Sequence, residues 1–224
     1  MSNIKLVHSG GNSVSITTPD SNPASNRTVK LPGYNLTLPV NDGTAGQILQ
    51  TDGNGNLTFV DKPTGGLSMV DMWHVTQQST FQSETAAVNW GRSSGTITGS
   101  GHIGSAMTNS TQYFTFPETG IYEVEYQTLC YTSAAEARYV ASFIYATINN
   151  SNYYKRARGY ASVHSDSSQT TFSFGAKYIF DVTDTSTHKV YFSNLSETTT
   201  TLEFADLTND VIRSYALFKK LGDT

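Results

Sequence analysis

The sequence predicts an all-β protein: a short β N-terminal segment over residues 1–61, a linker at 62–66 and a β-sandwich over 67–224. Three observations predict it. Ser and Thr make up about a quarter of the 224 residues, charged residues only 14% and aromatics 12%, a balance that suits strands and turns more than helices. Apolar residues recur at alternate positions, the spacing that gathers them on one face of a strand. Gly, Pro, Asn and Asp cluster between those runs, where they act as turns.

The N-terminal segment is a series of short alternating pairs: Val14 with Ile16, Val29 with Leu31, Leu36 with Leu38, and Leu57 with Phe59. Pro19, Pro23, Pro32 and Pro39 remove ladder donors and confine these runs to edge or isolated strands. In GQILQTDGNGNLTFVD, residues 46–61, Asp-Gly and Asn-Gly each offer a two-residue hairpin turn and predict a tight reversal. So little apolar surface cannot stabilise an independent unit, so these strands are expected to be covered by another copy or another protein. Val14, Ile16, Val29, Leu31, Leu36 and Leu38 are the candidate anchor residues. DKPTGG, residues 61–66, combines Pro with Gly-Gly and lacks an apolar anchor, as a boundary does.

Beyond the boundary the runs lengthen: 113–117, 121–131, 138–149, 171–183, 188–194, 200–207 and 214–222, a spacing that reads as a sandwich. In 171–183, Phe172, Phe174, Ala176, Tyr178, Phe180 and Val182 share one face while Ser173, Lys177 and Asp181 take the other, so the strand is half-buried. In 138–149, Tyr139, Phe143 and Tyr145 alternate with Val140, Ile144 and Ile148, and both faces are apolar. Either the strand lies wholly inside the sandwich, or Tyr139, Phe143 and Tyr145 form a subunit interface.

The net charge of −4 argues against a nucleic-acid partner, which calls for a clustered positive excess. Cys130 is the one cysteine, so neither an intrachain disulfide nor a Cys-based zinc site is available. The start has no apolar h-region, and no stretch of the chain has the 18 consecutive apolar residues of a membrane span, so synthesis in a cytoplasm is expected. GSGHIG, residues 99–104, matches a dinucleotide-binding spacing but is followed by a strand-like run rather than a helix, so it reads as a loop. DGNGN, residues 52–56, imitates the start of a calcium loop, yet Leu57 and Pro63 stand where the loop requires Gly and Glu, and turn chemistry accounts for it better.

The five histidines, at 8, 74, 102, 164 and 188, show no metal-ligand spacing, and no cofactor is expected. Hydroxyls near His164 and Asp166 leave a hydrolase site open, although no nucleophile motif is present. YYKRARGY, residues 153–160, is the densest cationic stretch. Guanidinium forks grip anionic groups and tyrosine rings stack on sugars, so Tyr154, Lys155, Arg156, Arg158 and Tyr160 are the candidate receptor-binding residues, against the plainer reading of a solvated strand end.

NSVSITTPDSNPASNRTVKLP followed by LTLPVNDGTAGQILQTDGNGNLTFVD resembles the N-terminal part of virion fibre and structural proteins of marine tailed phages. FTFPETGIYEVEY is similar to the strand pair F-x-x-P-x-x-G-x-Y of C1q-like and tumour-necrosis-factor-like jelly rolls, with Phe114, Pro117, Gly120 and Tyr122 in register. DVTDTSTHKVYF and LFKKLGDT resemble phage versions of that domain. The resemblance implies a homotrimer, aromatic faces meeting on a threefold axis, and residues 1–61 joining the chain to other proteins of the particle. It implies a non-enzymatic short fibre or spike of a virion whose knob meets a host-surface glycan, with a capsid decoration protein as the alternative.

Overall fold

A computed structural model of the chain describes residues 3–7, 9–17, 33, 35–62, 66–133, 135–164 and 168–224. It divides into two units, Met1–Thr64 and Gly65–Thr224, and the division lies inside the 62–66 stretch.

The first unit holds two antiparallel hairpins. β1 (Asn3–Val7) pairs with β2 (Ser13–Thr17), placing Val14 opposite Leu6 and Ile16 opposite Ile4. β3 (Gln47–Thr51) pairs with β4 (Leu57–Asp61), with Thr51 opposite Leu57. The reversal is there, but as a five-residue connection, not a two-residue turn. Gly53 and Gly55 both take positive φ, and the Asp52 carboxylate accepts hydrogen bonds from the backbone N–H of Asn54 at 2.8 Å and of Asn56 at 3.1 Å. A side chain that bridges the loop stabilises a wider turn than two residues permit. Thr37 forms a parallel bridge to Asn56. Leu36 and Leu38 are exposed, as is Val40. Val29 and Leu31 lie outside the described residues, as does Asp166 of the conjectured hydrolase pair.

The second unit is the expected sandwich of antiparallel strands. In chain order these are β5 (Met69–Val75), β6 (Ser79–Phe81), β7 (Thr85–Ala86), β8 (Trp90–Arg92), β9 (Thr108–Ser110), β10 (Tyr113–Thr115), β11 (Gly120–Ser133), β12 (Ala137–Thr147), β13 (Tyr154–Val163), β14 (Gln169–Val182), β15 (Lys189–Ser196), β16 (Thr200–Leu202) and β17 (Tyr215–Gly222). One sheet runs β13-β12-β15-β10-β9, with β7 beside β15. In the other, β11 pairs with β14 along one edge and with β17 and β16 along its other edge, and β5 and β8 continue beyond β17. Neighbours distant in sequence are the signature of a jelly roll rather than of a string of hairpins.

The core fills the space between the sheets. Phe114 and Phe192 from one sheet meet Phe218 and Tyr126 from the other, with Trp90 edge-on to Phe114, Phe192 and Tyr126. Edge-to-face and tilted rings of this kind add to the energy of burial. The Phe114–Tyr122 motif acquires a physical meaning here: both rings are fully buried, the Tyr122 hydroxyl donates to the Glu118 carbonyl at 3.0 Å, and Gly120 takes a φ of 149° where a Cβ would lie 2.7 Å from the Gly222 carbonyl oxygen.

β5 escapes the alternation test because polar residues hold core positions on it. Asp71 is fully buried, accepts from the Trp73 indole N–H at 3.0 Å and from the Met107 backbone N–H at 2.9 Å, and pairs with Arg92 at 3.2 Å. A buried carboxylate is tolerated only with such a complement of donors.

Candidate functional site

β13 carries YKRARGYASV, in which long and small side chains alternate from Arg156 onward. Ala157 and Ala161 turn inward and pack against the core. Gly159 between them allows close approach of β14, because a Cβ at Gly159 would fall onto the Gly175 carbonyl oxygen. The large side chains are therefore forced to the outside. Arg158 stands opposite Phe143 of β12 and Tyr160 opposite Ala141, while a bulge after Ile144 brings Lys155 opposite Tyr145 and leaves Arg156 unopposed. β13 is the terminal strand of its sheet, and Tyr154 and Tyr160 are each more than half exposed, at 56% and 53%.

The five candidate residues sort into two groups. Lys155 is committed within the fold: its ammonium is 2.7 Å from a Glu84 carboxylate oxygen and 4.1 Å from the centroid of the Phe143 ring. Glu84, from the β6–β7 connection, also accepts from the Tyr145 hydroxyl and from Ser193 Oγ at 3.1 Å. Partial burial works against its charge, but the hydrogen bonds from Lys155, Tyr145 and Ser193 outweigh burial and hold its carboxyl below the ordinary range.

Arg156 and Arg158 are placed differently. Their guanidinium carbons lie over the Tyr154 and Tyr160 rings, at 5.2 and 5.7 Å, and neither pairs with a carboxylate among the described residues. A shallow pocket of about 150 Å³ is lined by Lys155, Arg156, Ala157 and Arg158.

Tyr139, Phe143 and Tyr145 differ in their surroundings. These residues do occupy the outer face of β12, opposite a core face containing Val140 and Ile144, but they are not a bare aromatic surface. Phe143 is only 2% exposed, because Lys155 caps its ring and Tyr160 packs edge-on at 6.4 Å. Tyr145 is stacked on Tyr191 with centroids 4.5 Å apart and planes 7° apart; burial pushes both hydroxyls up, reinforced at Tyr145 by its hydrogen bond to Glu84 and at Tyr191 by Tyr145 and then Glu84, that of Tyr191 to about 12. Tyr139 alone of the three is exposed. Tyr113 and Tyr153 complete a tyrosine cluster with Tyr191, at centroid distances of 5.1 to 5.7 Å. Sequence reasoning missed this cluster, since its members come from three strands and a loop and are joined by register alone.

The other sequence motifs do not converge on chemistry. Residues 99–104 lie in the connection between β8 and β9, Gly99 and Gly104 have positive φ, and no helix follows. His102 bonds Ser94 at 2.9 Å, His188 sits between Thr183 and Thr187, and His74 is buried with Nδ1 3.0 Å from Ser93 Oγ. Among the described residues no group of three or more His, Cys, Asp or Glu is arranged to hold a metal ion. Cys130 is buried, and burial pushes its thiol up to about 12, so it is inert.

No protein-family model matches the sequence, and no curated protein matches it. Solved structures do share its fold. The Eiger tumour necrosis factor of S. frugiperda superposes with a TM-score of 0.53 at 14% identity, covering 71% of this chain and 96% of that one. Murine APRIL at pH 5.0 gives a TM-score of 0.48 at 12% identity, covering 68% of this chain and 98% of its own. At such low identity the first likeness establishes the fold, a TNF/C1q-like jelly roll, and nothing finer.

Proposed function

We propose that this chain is a virion structural protein of a tailed phage, a short trimeric fibre or spike in which residues 1–61 join the particle and the jelly roll presents the outer face of β13 to the host envelope. One observation carries the reading: the unequal self-sufficiency of the two units. Leu36, Leu38, Val40, Ile48 and Leu49 are all exposed in the first unit, which suits strands completed by another protein. The sandwich has a closed aromatic core and needs no such completion. Three copies of a modest site on one spike, and several spikes on one particle, raise avidity without any tight single contact. The phage assignment rests on the resemblance of residues 1–61 to virion proteins, and the trimer on the resemblance of the second unit to the jelly-roll trimers.

The test is the mass of the full-length protein by light scattering over a hundredfold dilution, followed by antibody labelling of particles. A persistent mass of about three chains, with label on the tail or its fibres, supports the reading. A stable folded monomer, or label found only across the shell, overturns it.

A further inference from the structure

We infer that the outer face of β13 is a binding site for an acidic polysaccharide, with Arg156 and Arg158 as the anion-gripping residues and Tyr154 and Tyr160 as stacking platforms at either end. The inference deepens the functional reading above and rests on it only for where the glycan would be met.

Among the described residues Arg92, Arg138, Lys155, Lys177, Arg213, Lys219 and Lys220 of the sandwich all face a carboxylate. Arg156, Arg158 and Lys189 do not, and of these the two arginines stand two residues apart on one strand, roughly 7 Å along its axis. Two unpaired guanidinium groups so close repel each other, and an anion between them relieves that repulsion while accepting their forked N–H donors. The tyrosine beneath each one restricts its rotation, so less freedom is lost when a ligand arrives. The pocket along Lys155, Arg156, Ala157 and Arg158 is walled by three cationic side chains and one alanine, so it offers an apolar peptide side chain little to bury against, and the nearby Tyr154 and Tyr160 are both more than half exposed. That combination suits repeated sugar faces bearing anionic groups.

Lys155 has a separate role. Held by Glu84 and by the Phe143 ring, it positions the strand at the bulge from which Arg156 projects. Carboxylates of a polyuronate and sulfates of a sulfated glycan share the chemistry that Arg forks recognise, and the experiment separates them.

The experiment measures binding of the full-length protein to alginate oligosaccharides, dextran sulfate and neutral dextran at 50 and 300 mM salt. The expected result is retention of at least one acidic polymer, none of neutral dextran, and a steep loss of binding at the higher salt. R156Q/R158Q should weaken binding at least tenfold with an unchanged melting temperature, whereas K177Q, on the other sheet, should bind as the parent does. Y154A/Y160A should weaken the polysaccharide but leave inorganic sulfate competition unaltered. Equal binding of the neutral polymer, undiminished binding by R156Q/R158Q, or no binding of any polymer at 50 mM salt would overturn the inference. Those outcomes leave the trimer mass and particle labelling untouched, so failure here is distinct from failure of the fibre reading.

Discussion

In the sandwich, Phe114 touches Trp73, Trp90, Phe192 and Phe218 and has no exposed surface. In the N-terminal unit, Leu38 is 64% exposed and Val40 fully so. Both regions are built from antiparallel strands with alternating apolar residues and Gly-rich turns, so local sequence grammar does not separate them. The difference is a second layer. Strands gain stability when another sheet removes their apolar face from water, and the hairpins β1–β2 and β3–β4 each have two strands only. Among the described residues, the first unit has strand geometry with exposed apolar side chains in place of a core, which is the contrast on which the proposed division of roles rests.

The largest perturbation of that contrast should be Phe114→Ala. Removing a fully buried ring at the centre of the aromatic cluster should cost about 3–5 kcal/mol, read as a lowered urea midpoint of the full-length protein. Next comes Gly159→Ala, where the added methyl meets the Gly175 carbonyl and has no free volume to enter; overpacking of this sort costs about 1–3 kcal/mol. An unchanged melting temperature for this variant would show that β13 and β14 can separate without penalty.

Smaller, and dependent on pH, is the effect of His74. Burial lowers its pKa below the ordinary histidine value of 6.5. As pH falls through about 6.5, the unfolded chain binds the proton before the folded one does, so stability present at neutral pH should decline toward pH 5. His74→Phe should flatten that part of the pH–stability curve, measured by thermal melting at a series of pH values. A slope identical to the parent's would assign the acid sensitivity elsewhere. Smallest of all is Leu38→Ala in the first unit, which should change the stability of the isolated protein by no more than about 0.5 kcal/mol. An effect as large as that of Phe114→Ala would mean that this leucine is already covered in the free protein, and the contrast between the two units would be lost.

Period-2 alternation placed β10, β11, β12, β14, β15 and β17 within a few residues of their observed bounds, because each has a strongly apolar core face. It did not find β5, where Asp71 and His74 occupy buried positions and break the pattern. It also left β13 as a cationic stretch. The inward residues of that strand are Ala157, Gly159 and Ala161, too small to read as a core face, and their size makes sense only with β14 packed against them. The candidate binding residues were likewise named together from their spacing, yet they do different things.

What the sequence determined by itself is the β class, the strands with a clear apolar face, the reversal at residues 52–56, and the exposed cationic character of residues 154–160. These follow from one- and two-residue periodicities and from turn chemistry, which act over a few positions along the chain. Tertiary structure alone decided that Lys155 is spent on Glu84, 71 residues away, that Phe143 is covered by Lys155 and Tyr160, and that Arg156 and Arg158 meet no carboxylate among the described residues. The reason is that an ion pair, a capped ring or an unpaired charge depends on which distant side chains the sheet register brings within a few ångströms, and no local periodicity encodes that register.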